Sequence, residues 1–293
     1  MLTAAGTSLV IVQGDTGSAL GGALAGKLAG IPVAHVEAGL RSHDLRRPWP
    51  EEGFRVAIDR DAALLFAPTE LSATNLRRER ASGQIHVTGN SGIDAVLAVR
   101  ASLGTGGEPS RRLLVTCHRR ENWGDGVLGV AAALIRIVKD DIAPVEVLLH
   151  PNPALSAHMR QLLAAVPEIA FRPPASHPET IAAMLDASLI LSDSGGIQEE
   201  AAALGTPLLV LREKTERPEA IASGNMELVG TDADRIVAAV RRRLSAARPQ
   251  ATLPFGDGRA SQRIAAIVAD WLAERRDIEP ARVFSSEARR ANA

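Results

Sequence analysis

The stretch that decides the fold is "SDSGGIQEEA", residues 192–201, in which two adjacent glycines separate an apolar run from a helical pattern. The preceding run, residues 187–191, is short and aliphatic, as a buried strand would be. Apolar residues then recur at helical spacing up to Gly205, which predicts a C-terminal helix cap. Residues 194–196 should therefore form the N-terminus of a helix that directly follows a strand.

This helix N-terminus is a candidate anion site. Its unpaired backbone N–H groups and the positive end of the helix dipole attract anions, phosphate above all. Glycine at 195 and 196 would let a ligand come close to the backbone, which a Cβ atom would prevent. The alternative is that Gly195 and Gly196 only form a tight turn, and the pattern alone leaves both interpretations open.

The composition indicates a globular protein of one or two domains. The chain has 293 residues, of which 46% are hydrophobic and 23% are charged. No window approaches the roughly 18 consecutive apolar residues of a membrane span, and residues 1–6 lack the pattern of a secretory signal. The single cysteine, Cys117, excludes an intramolecular disulfide and favours a reducing cytoplasm. The net charge of −1 argues against nucleic acid or an acidic membrane as a partner.

Short aliphatic runs alternate with helical patterns up to about residue 245. The runs lack polar alternation, which is typical of strands buried on both faces of a parallel sheet. They are residues 8–13, 32–36, 63–67, 85–88, 112–116, 145–149, 189–192 and 207–211. The helical patterns cover residues 18–28, 51–61, 71–79, 127–139 and 232–244. This βαβ order predicts a doubly wound α/β fold with Rossmann-like units.

The glycine-rich stretch 101–110 predicts a linker between two lobes. We expect the first lobe at residues 1–100 and the second at residues 111–259. Residues 260–276 form an amphipathic pattern, which predicts a helix that packs back across the lobes, and residues 277–293 predict a disordered tail. The first lobe has only about four strands, fewer than a mononucleotide-binding half usually has, so we expect it to be incomplete.

Polar residues follow the strands, at the edge where parallel α/β sheets bind ligands. In the first lobe they are acidic: Asp15, Glu37 and, at the start of a helix, Glu51. Asp15 and Glu51 could also only stabilise helix N-termini. In the second lobe His118 and Arg217 join the anion site described above. We expect carboxylates on one side of a cleft to transfer protons and the opposite side to hold an anion. No pattern of metal ligands occurs, so no metal is expected.

Nine motifs resemble, in order, those of the non-hydrolysing UDP-N-acetylglucosamine 2-epimerases of bacteria. They are GDT (14–16), HVEAGLRS (35–42), PWPEE (48–52), VTGN (87–90), HRREN (118–122), HPNP (150–153), SDSGGIQEEA (192–201), TERPEA (215–220) and LVGTD (228–232). The resemblance implies two Rossmann-like lobes with the substrate in the cleft, as in GT-B glycosyltransferases. It implies reversible epimerisation of UDP-N-acetylglucosamine to UDP-N-acetylmannosamine, through elimination of UDP to 2-acetamidoglucal and re-addition, without a cofactor. It also implies a cytoplasmic homodimer that serves polysaccharide biosynthesis.

The same resemblance implies roles for individual residues. Asp15, Glu37 and Glu51 would carry the proton chemistry, without base and acid being distinguished, and His118 would act with them at the leaving diphosphate. Substrate contacts would come from Arg55, Ser194, Gly195, Gly196, Glu200 and Arg217, with Glu200 holding the ribose hydroxyls. Arg119 and His150 would serve a second, adjacent site at which UDP-N-acetylglucosamine acts as an allosteric effector.

Members of this family begin with a further strand and a loop of the form GTRPEAIK, and nothing of this kind precedes Ser8. We therefore expect the first lobe to lack these elements. Two alternatives to the epimerase stay open. One is a hydrolysing 2-epimerase that releases UDP and N-acetylmannosamine, and the other is a non-catalytic fragment that binds nucleotide sugars.

Overall fold

Two parallel β-sheets organise the chain. The structure, a computed structural model, describes residues 2, 6–104, 108–117 and 124–290, with side chains as far as residue 275. A four-stranded sheet has the order β1-β2-β3-β4, and a six-stranded sheet has the order β10-β9-β8-β5-β6-β7. The strands are β1 Val10–Gln13, β2 Val33–Val36, β3 Leu64–Ala67, β4 Gln84–Val87, β5 Leu113–Thr116, β6 Val145–Leu148, β7 Ala170–Arg172, β8 Leu189–Ser192, β9 Leu208–Val210 and β10 Met226–Leu228. We call the parts built on these sheets the first lobe and the second lobe.

The described helices cover the faces of both sheets, as the βαβ order of the sequence predicts. They are α1 Gly17–Leu28, α2 Glu51–Asp61, α3 Glu70–Arg78, α4 Ser91–Leu103, α5 Asp125–Lys139, α6 Pro153–Leu163, α7 His177–Asp186, α8 Gly195–Leu204, α9 Pro218–Ala222, α10 Ala233–Leu244 and α11 Ala260–Arg290. Within the described ranges, no helix is both long enough and apolar enough to cross a membrane.

The central strands are buried on both faces, which explains their unbroken aliphatic sequence. All four residues of β3 and of β8 are buried, whereas the edge strand β7 has none that is fully buried. The second sheet is sandwiched between two apolar clusters, one under α5 and α10 and the other under α7 and α8. Each large aliphatic side chain buried there contributes about 1.5–3 kcal/mol. These rigid layers fix the strand ends at which the polar residues lie.

The stretch at residues 192–205 folds as its sequence predicts. β8 ends at Ser192, Ser194 is the N-terminal cap of α8, and the helix begins at Gly195. Gly205 ends α8 in the left-handed conformation with φ of 70°. The prediction of a strand followed at once by a helix N-terminus is therefore confirmed.

Two helices connect the lobes. α4 extends to Leu103, inside the predicted linker, and packs on α7 and α8 beside the second sheet. Residues 105–107 of that linker lie outside the described residues. α11 places Ile264 and Trp271 on the first sheet, against Ala34 and Phe66. The same helix continues to Arg290, through most of the stretch for which the sequence predicts a disordered tail.

Candidate active site

A cavity of about 320 Å³ lies between the lobes, at the carboxyl ends of both sheets. The first lobe lines it with Gln13, Asp15 and Glu37, and the start of α4 adds Asn90. The second lobe lines it with Ser194, Gly195, Gly196, Glu199, Glu200, Glu216 and Arg217. The structure thus brings together seven of the residues that the sequence analysis selects: Asp15, Glu37, Ser194, Gly195, Gly196, Glu200 and Arg217.

Two carboxylates stand side by side on the first lobe. Asp15 follows β1 and Glu37 follows β2, and these strands pair in parallel with Gln13 opposite Val36. Glu37 has a φ of 72°, a left-handed conformation that costs a residue with a Cβ on the order of 1–3 kcal/mol. Such strain persists where the surroundings fix the residue, and it is found most often at functional sites. The Glu37 side chain is therefore held by its surroundings.

Arg217 bonds three carboxylates and joins the two lobes through one of them, Glu37. Its Nη2 donates to Glu37 of the first lobe at 2.7 Å, its Nε donates to Glu199 at 2.6 Å and its Nη1 donates to Glu216 at 2.5 Å. Burial acts to lower the pKa of Arg217, but the three carboxylates outweigh burial and raise it. The guanidinium is therefore a permanent cation at the centre of the cleft.

Burial raises the pKa of two of these carboxylates and so favours their neutral forms. It raises the pKa of Glu37, and while Arg217 opposes this rise the neighbouring Asp15 adds to it. Burial also raises the pKa of Glu199 to about 7, against the opposing effect of Arg217. Asn90 donates from its Nδ2 to the second oxygen of Glu199 at 2.6 Å. The cleft therefore holds one carboxyl group, Glu199, that can gain or lose a proton near neutral pH, beside a second, Glu37, whose neutral form burial favours.

The N-terminus of α8 faces the same cavity. Ser194 makes no side-chain cap bond within the described residues, and its backbone φ and ψ of −76° and 133° are those of an extended N-terminal cap. A Cβ on Gly196 would meet no described atom within 4 Å, so the space in front of this glycine is open to a ligand. One turn further, Glu200 lines the cavity and its Oε1 lies 3.2 Å from His177 Nε2. Burial raises the pKa of Glu200, and His177 opposes the shift.

Arg55 lies behind the cavity wall. It is 2% exposed, contacts Asp15 through Nη2 and donates from Nη1 to Glu52 at 3.0 Å. Glu52 in turn accepts from the backbone N–H of Ser42 at 2.9 Å. Arg55 is not among the described residues that line the cavity, so in this structure it orients Asp15 and does not face the ligand space.

The other selected residues lie apart from this group. Glu51 is the first residue of α2, half-buried, and is not among the described residues lining the cavity. His150 lines a different cavity of about 150 Å³ together with Cys117, and its Nδ1 accepts from the backbone N–H of Asn152 at 3.0 Å. His118 and Arg119 lie outside the described residues.

The sequence analysis did not select Gln13, Asn90, Glu199 and Glu216. Glu199 carried a usable signal, since it is a charged residue near the start of a helix whose remaining residues are mostly small and apolar. Asn90 and Glu216 lie within the motifs at 87–90 and 215–220, but their spacing in the sequence does not show that their side chains face the cavity. Their roles depend on how the two lobes meet.

The two parallel sheets, with a cavity between them at the carboxyl ends of both, define a two-lobed Rossmann-like protein of the GT-B type. The chain belongs to the UDP-N-acetylglucosamine 2-epimerase family, whose model matches residues 1–269. It is 42% identical over 278 residues to the UDP-N-acetylglucosamine 2-epimerase of Escherichia coli (strain K12), a match that covers 87% of this chain and 74% of the relative.

Solved structures of the family are similar over the same range. The UDP-GlcNAc 2-epimerase of Neisseria meningitidis bound to UDP-GlcNAc matches with a TM-score of 0.85 and 33% identity, covering 92% of this chain and 78% of that one. The enzyme of Methanocaldococcus jannaschii in complex with UDP-GlcNAc and UDP matches with a TM-score of 0.80 and 34% identity, covering 92% and 77%.

Proposed function

We propose that this protein epimerises UDP-N-acetylglucosamine reversibly at C2, without hydrolysis, through elimination and re-addition of UDP. The adjacency of Asp15 and Glu37 in one cavity with the α8 N-terminus supports this proposal most directly. Carboxylates on one wall and anion-binding groups on the other are what an elimination of a phosphate leaving group requires.

The first half of the reaction removes a proton and UDP. A carboxylate takes the proton from C2, and the electrons of the C2–H bond form the double bond between C1 and C2. The C1–O bond breaks, and its electrons leave with the UDP oxygen, which gives 2-acetamidoglucal. In the second half the UDP oxygen attacks C1 again and a carboxyl group returns a proton to the opposite face of C2.

The pKa of Glu37, which burial raises, suits a group that takes up a proton and returns it. Asp15 lies at the end of the neighbouring strand, so the pair can serve as base and acid in either order, and Glu51 completes the set by resemblance. His118, which lies outside the described residues, would join them at the leaving diphosphate by the same resemblance.

The leaving diphosphate needs stabilisation as its charge develops. The N–H groups at the start of α8 and the cationic Arg217 supply it at the second-lobe wall. Glu200, one turn beyond Gly196, is suited to accept hydrogen bonds from the ribose hydroxyls. By resemblance we also propose a cytoplasmic homodimer, with UDP-N-acetylglucosamine as an effector at a second site that includes Arg119 and His150.

The test is incubation of the purified chain with UDP-N-acetylglucosamine in D₂O, followed by NMR of the sugars. The proposal expects deuterium at C2 and the manno epimer, still attached to UDP. Free N-acetylmannosamine with UDP would instead identify a hydrolysing enzyme. Binding of UDP without exchange at C2 would identify a non-catalytic nucleotide-sugar binder.

Variants of the two carboxylates make this test specific. Asp15→Asn and Glu37→Gln should each lower the exchange rate at C2 by at least about 100-fold, because general acid–base catalysis contributes 10²–10⁴-fold. Glu70→Gln is the matched control, since Glu70 is an exposed glutamate on α3 outside the cavity. Near-normal exchange in both cavity variants would contradict the proposed proton chemistry.

A further inference from the structure

A buried histidine lies under the two carboxylates of the first lobe. His35, on β2, is fully buried, and its Nε2 lies 2.9 Å from the carbonyl oxygen of Gly14, the residue before Asp15. A carbonyl oxygen only accepts hydrogen bonds, so Nε2 must carry a hydrogen. The other ring nitrogen, Nδ1, lies 2.6 Å from Oδ1 of Asp59 on α2. One proton therefore lies between Nδ1 of His35 and Oδ1 of Asp59, and it belongs to whichever of the two groups is the stronger base in these surroundings.

The surroundings of Asp59 favour its ionised form. Its Oδ2 accepts from the backbone N–H of Gly39 at 3.0 Å and lies 2.8 Å from Nη2 of Arg41. Burial acts to raise the pKa of Asp59, but His35 and Arg41 outweigh burial and lower it. Asp59 thus accepts hydrogen bonds at both oxygens, and the proton at Oδ1 belongs to the imidazole.

The positive charge of His35 is not neutralised on the side that faces the cavity. Arg41 is paired outward with Glu79, through bonds of 2.8 and 2.6 Å. His35 and Asp59 form a pair of their own, but the imidazolium is the member that contacts the strand end carrying Asp15, through Gly14. His35 also lies near enough to Glu37 to lower the pKa of that carboxyl, against the larger effect of burial. Among the residues that the structure describes, the other cations at this corner are Arg55 and Arg217, each bonded to a cavity carboxylate.

We propose that His35 is a positioning residue of the epimerase site, held protonated on both ring nitrogens by Asp59 and the carbonyl of Gly14. It fixes the backbone from which Asp15 projects, and its charge favours the ionised form of Glu37. The role in catalysis rests on the proposed function, whereas the protonation of the ring does not.

The direct test is NMR of the full chain labelled with ¹⁵N-histidine. The sequence contains seven histidines, and His35→Asn identifies the signal of His35 by its loss. We expect both ring nitrogens of His35 to carry a hydrogen at pH 8, where the free side chain is neutral. A neutral tautomer of His35 at this pH would overturn the proposal, whatever the activity of the protein.

Asp59→Asn provides a second variant in which the histidine is retained. An asparagine amide can donate to Nδ1, so the ring is satisfied as the neutral tautomer with its hydrogen on Nε2, and we expect that tautomer in this variant at the same pH. A ring that stays doubly protonated in Asp59→Asn would show that Asp59 does not hold the charge. This variant keeps the test available if His35→Asn does not fold.

The kinetic test uses the pH profile of epimerisation. Loss of the His35 charge should move the limb of the profile that belongs to Glu37 to higher pH, because a nearby cation lowers the pKa of a carboxyl group. The direction is the same whether Glu37 is the base or the acid. A lower rate with unmoved limbs would mean that His35 has only a structural role.

His86→Asn is the matched control. His86 lies on β4, its Nε2 has no partner among the described residues, and burial lowers its pKa, so it adds no charge near neutrality. Its removal should leave both limbs in place. If wild-type protein shows no epimerisation at all, the proposed function fails, and the NMR experiment still decides the protonation of His35.

Discussion

Arg217 of the second lobe lies 2.7 Å from the carboxylate of Glu37 in the first lobe. The same guanidinium holds Glu199 and Glu216, which are 4% and 1% exposed at their side chains. One buried cation therefore bonds three carboxylates that belong to two lobes, and Glu216 is also bonded by Arg212 at 3.1 Å. The contact between the lobes and the ionisation of the cavity carboxylates both involve Arg217.

We expect Arg217→Met to lower the free energy of unfolding by about 3–5 kcal/mol at pH 8, because Glu37 and Glu199 would lose the cation that they bond, whereas Glu216 would keep its bond to Arg212. Arg217→Lys keeps the charge but cannot bond three carboxylates in one plane, so its loss should be smaller. Urea unfolding measures both. If Arg217→Met were as stable as the wild type at pH 8, the guanidinium would not be the ion that balances these carboxylates.

Binding of the substrate should be accompanied by proton uptake. Glu199, with a pKa of about 7, is protonated below that pH and ionised above it. A diphosphate that approaches Arg217 competes with Glu199 for the cation and raises the pKa of Glu199 further. We therefore expect uptake of up to about one proton at pH 8 and almost none at pH 6. Affinity should weaken above pH 7 by up to about tenfold per pH unit.

Calorimetry of UDP-N-acetylglucosamine binding in two buffers with different ionisation enthalpies measures this uptake. The diphosphate of this ligand is a diester and has no group that titrates near neutrality. Glu199→Gln, which cannot titrate, should take up fewer protons at pH 8 and show a flatter pH dependence of affinity. Equal heats in the two buffers for wild-type protein would mean that no proton is taken up, and that the diphosphate and Glu199 do not compete for Arg217.

The sequence predicted the parts of the fold that depend on local pattern. The strand and helix on either side of Ser194 and the acidic residues after β1 and β2 could be found, because strand ends in a parallel sheet share one edge. The edge strands β7 and β10 were missed, because their short runs are interrupted by the charged residues Arg172 and Glu227 and lack an unbroken aliphatic pattern. Glu199 and Glu200 are adjacent in sequence, and only the packing of α8 shows that Glu199 meets Arg217 while Glu200 meets His177.

A hydrogen bond away from the cavity also joins the lobes. Thr69 caps α3 by accepting from the backbone N–H of Ser72 at 3.1 Å, and its hydroxyl donates to Glu219 of the second lobe at 2.6 Å. We expect Thr69→Val to lower the free energy of unfolding by about 1 kcal/mol, because the helix cap is lost. We also expect the lobes to open in the absence of ligand, because the hydrogen bond to Glu219 is lost. Thr69→Ser keeps the hydroxyl and is the matched control. Small-angle scattering should give a larger radius of gyration for the valine variant, and equal radii would remove Thr69 as a contributor to closure.

Gly39 is the position where an added methyl group should do most damage to the first lobe. Its φ is 83°, and a Cβ there would lie 2.3 Å from the carbonyl oxygen of Ser72. Its N–H holds Asp59 at 3.0 Å and its carbonyl accepts from Asn75 at 3.0 Å, so the backbone cannot move without breaking these bonds. We expect Gly39→Ala to lower the free energy of unfolding by about 3–5 kcal/mol.

The control for this substitution is Gly21→Ala. Gly21 lies within α1, and a Cβ there would meet no described atom within 4 Å, so alanine should stabilise the helix by about 0.5–1 kcal/mol. Chemical unfolding of both variants separates the local clash from the general effect of alanine for glycine. Because Gly39 also holds Asp59, Gly39→Ala should shift the NMR signals of His35 if the variant folds. Equal stability of the two variants would mean that the loop after β2 can yield, and that its backbone does not fix Asp59.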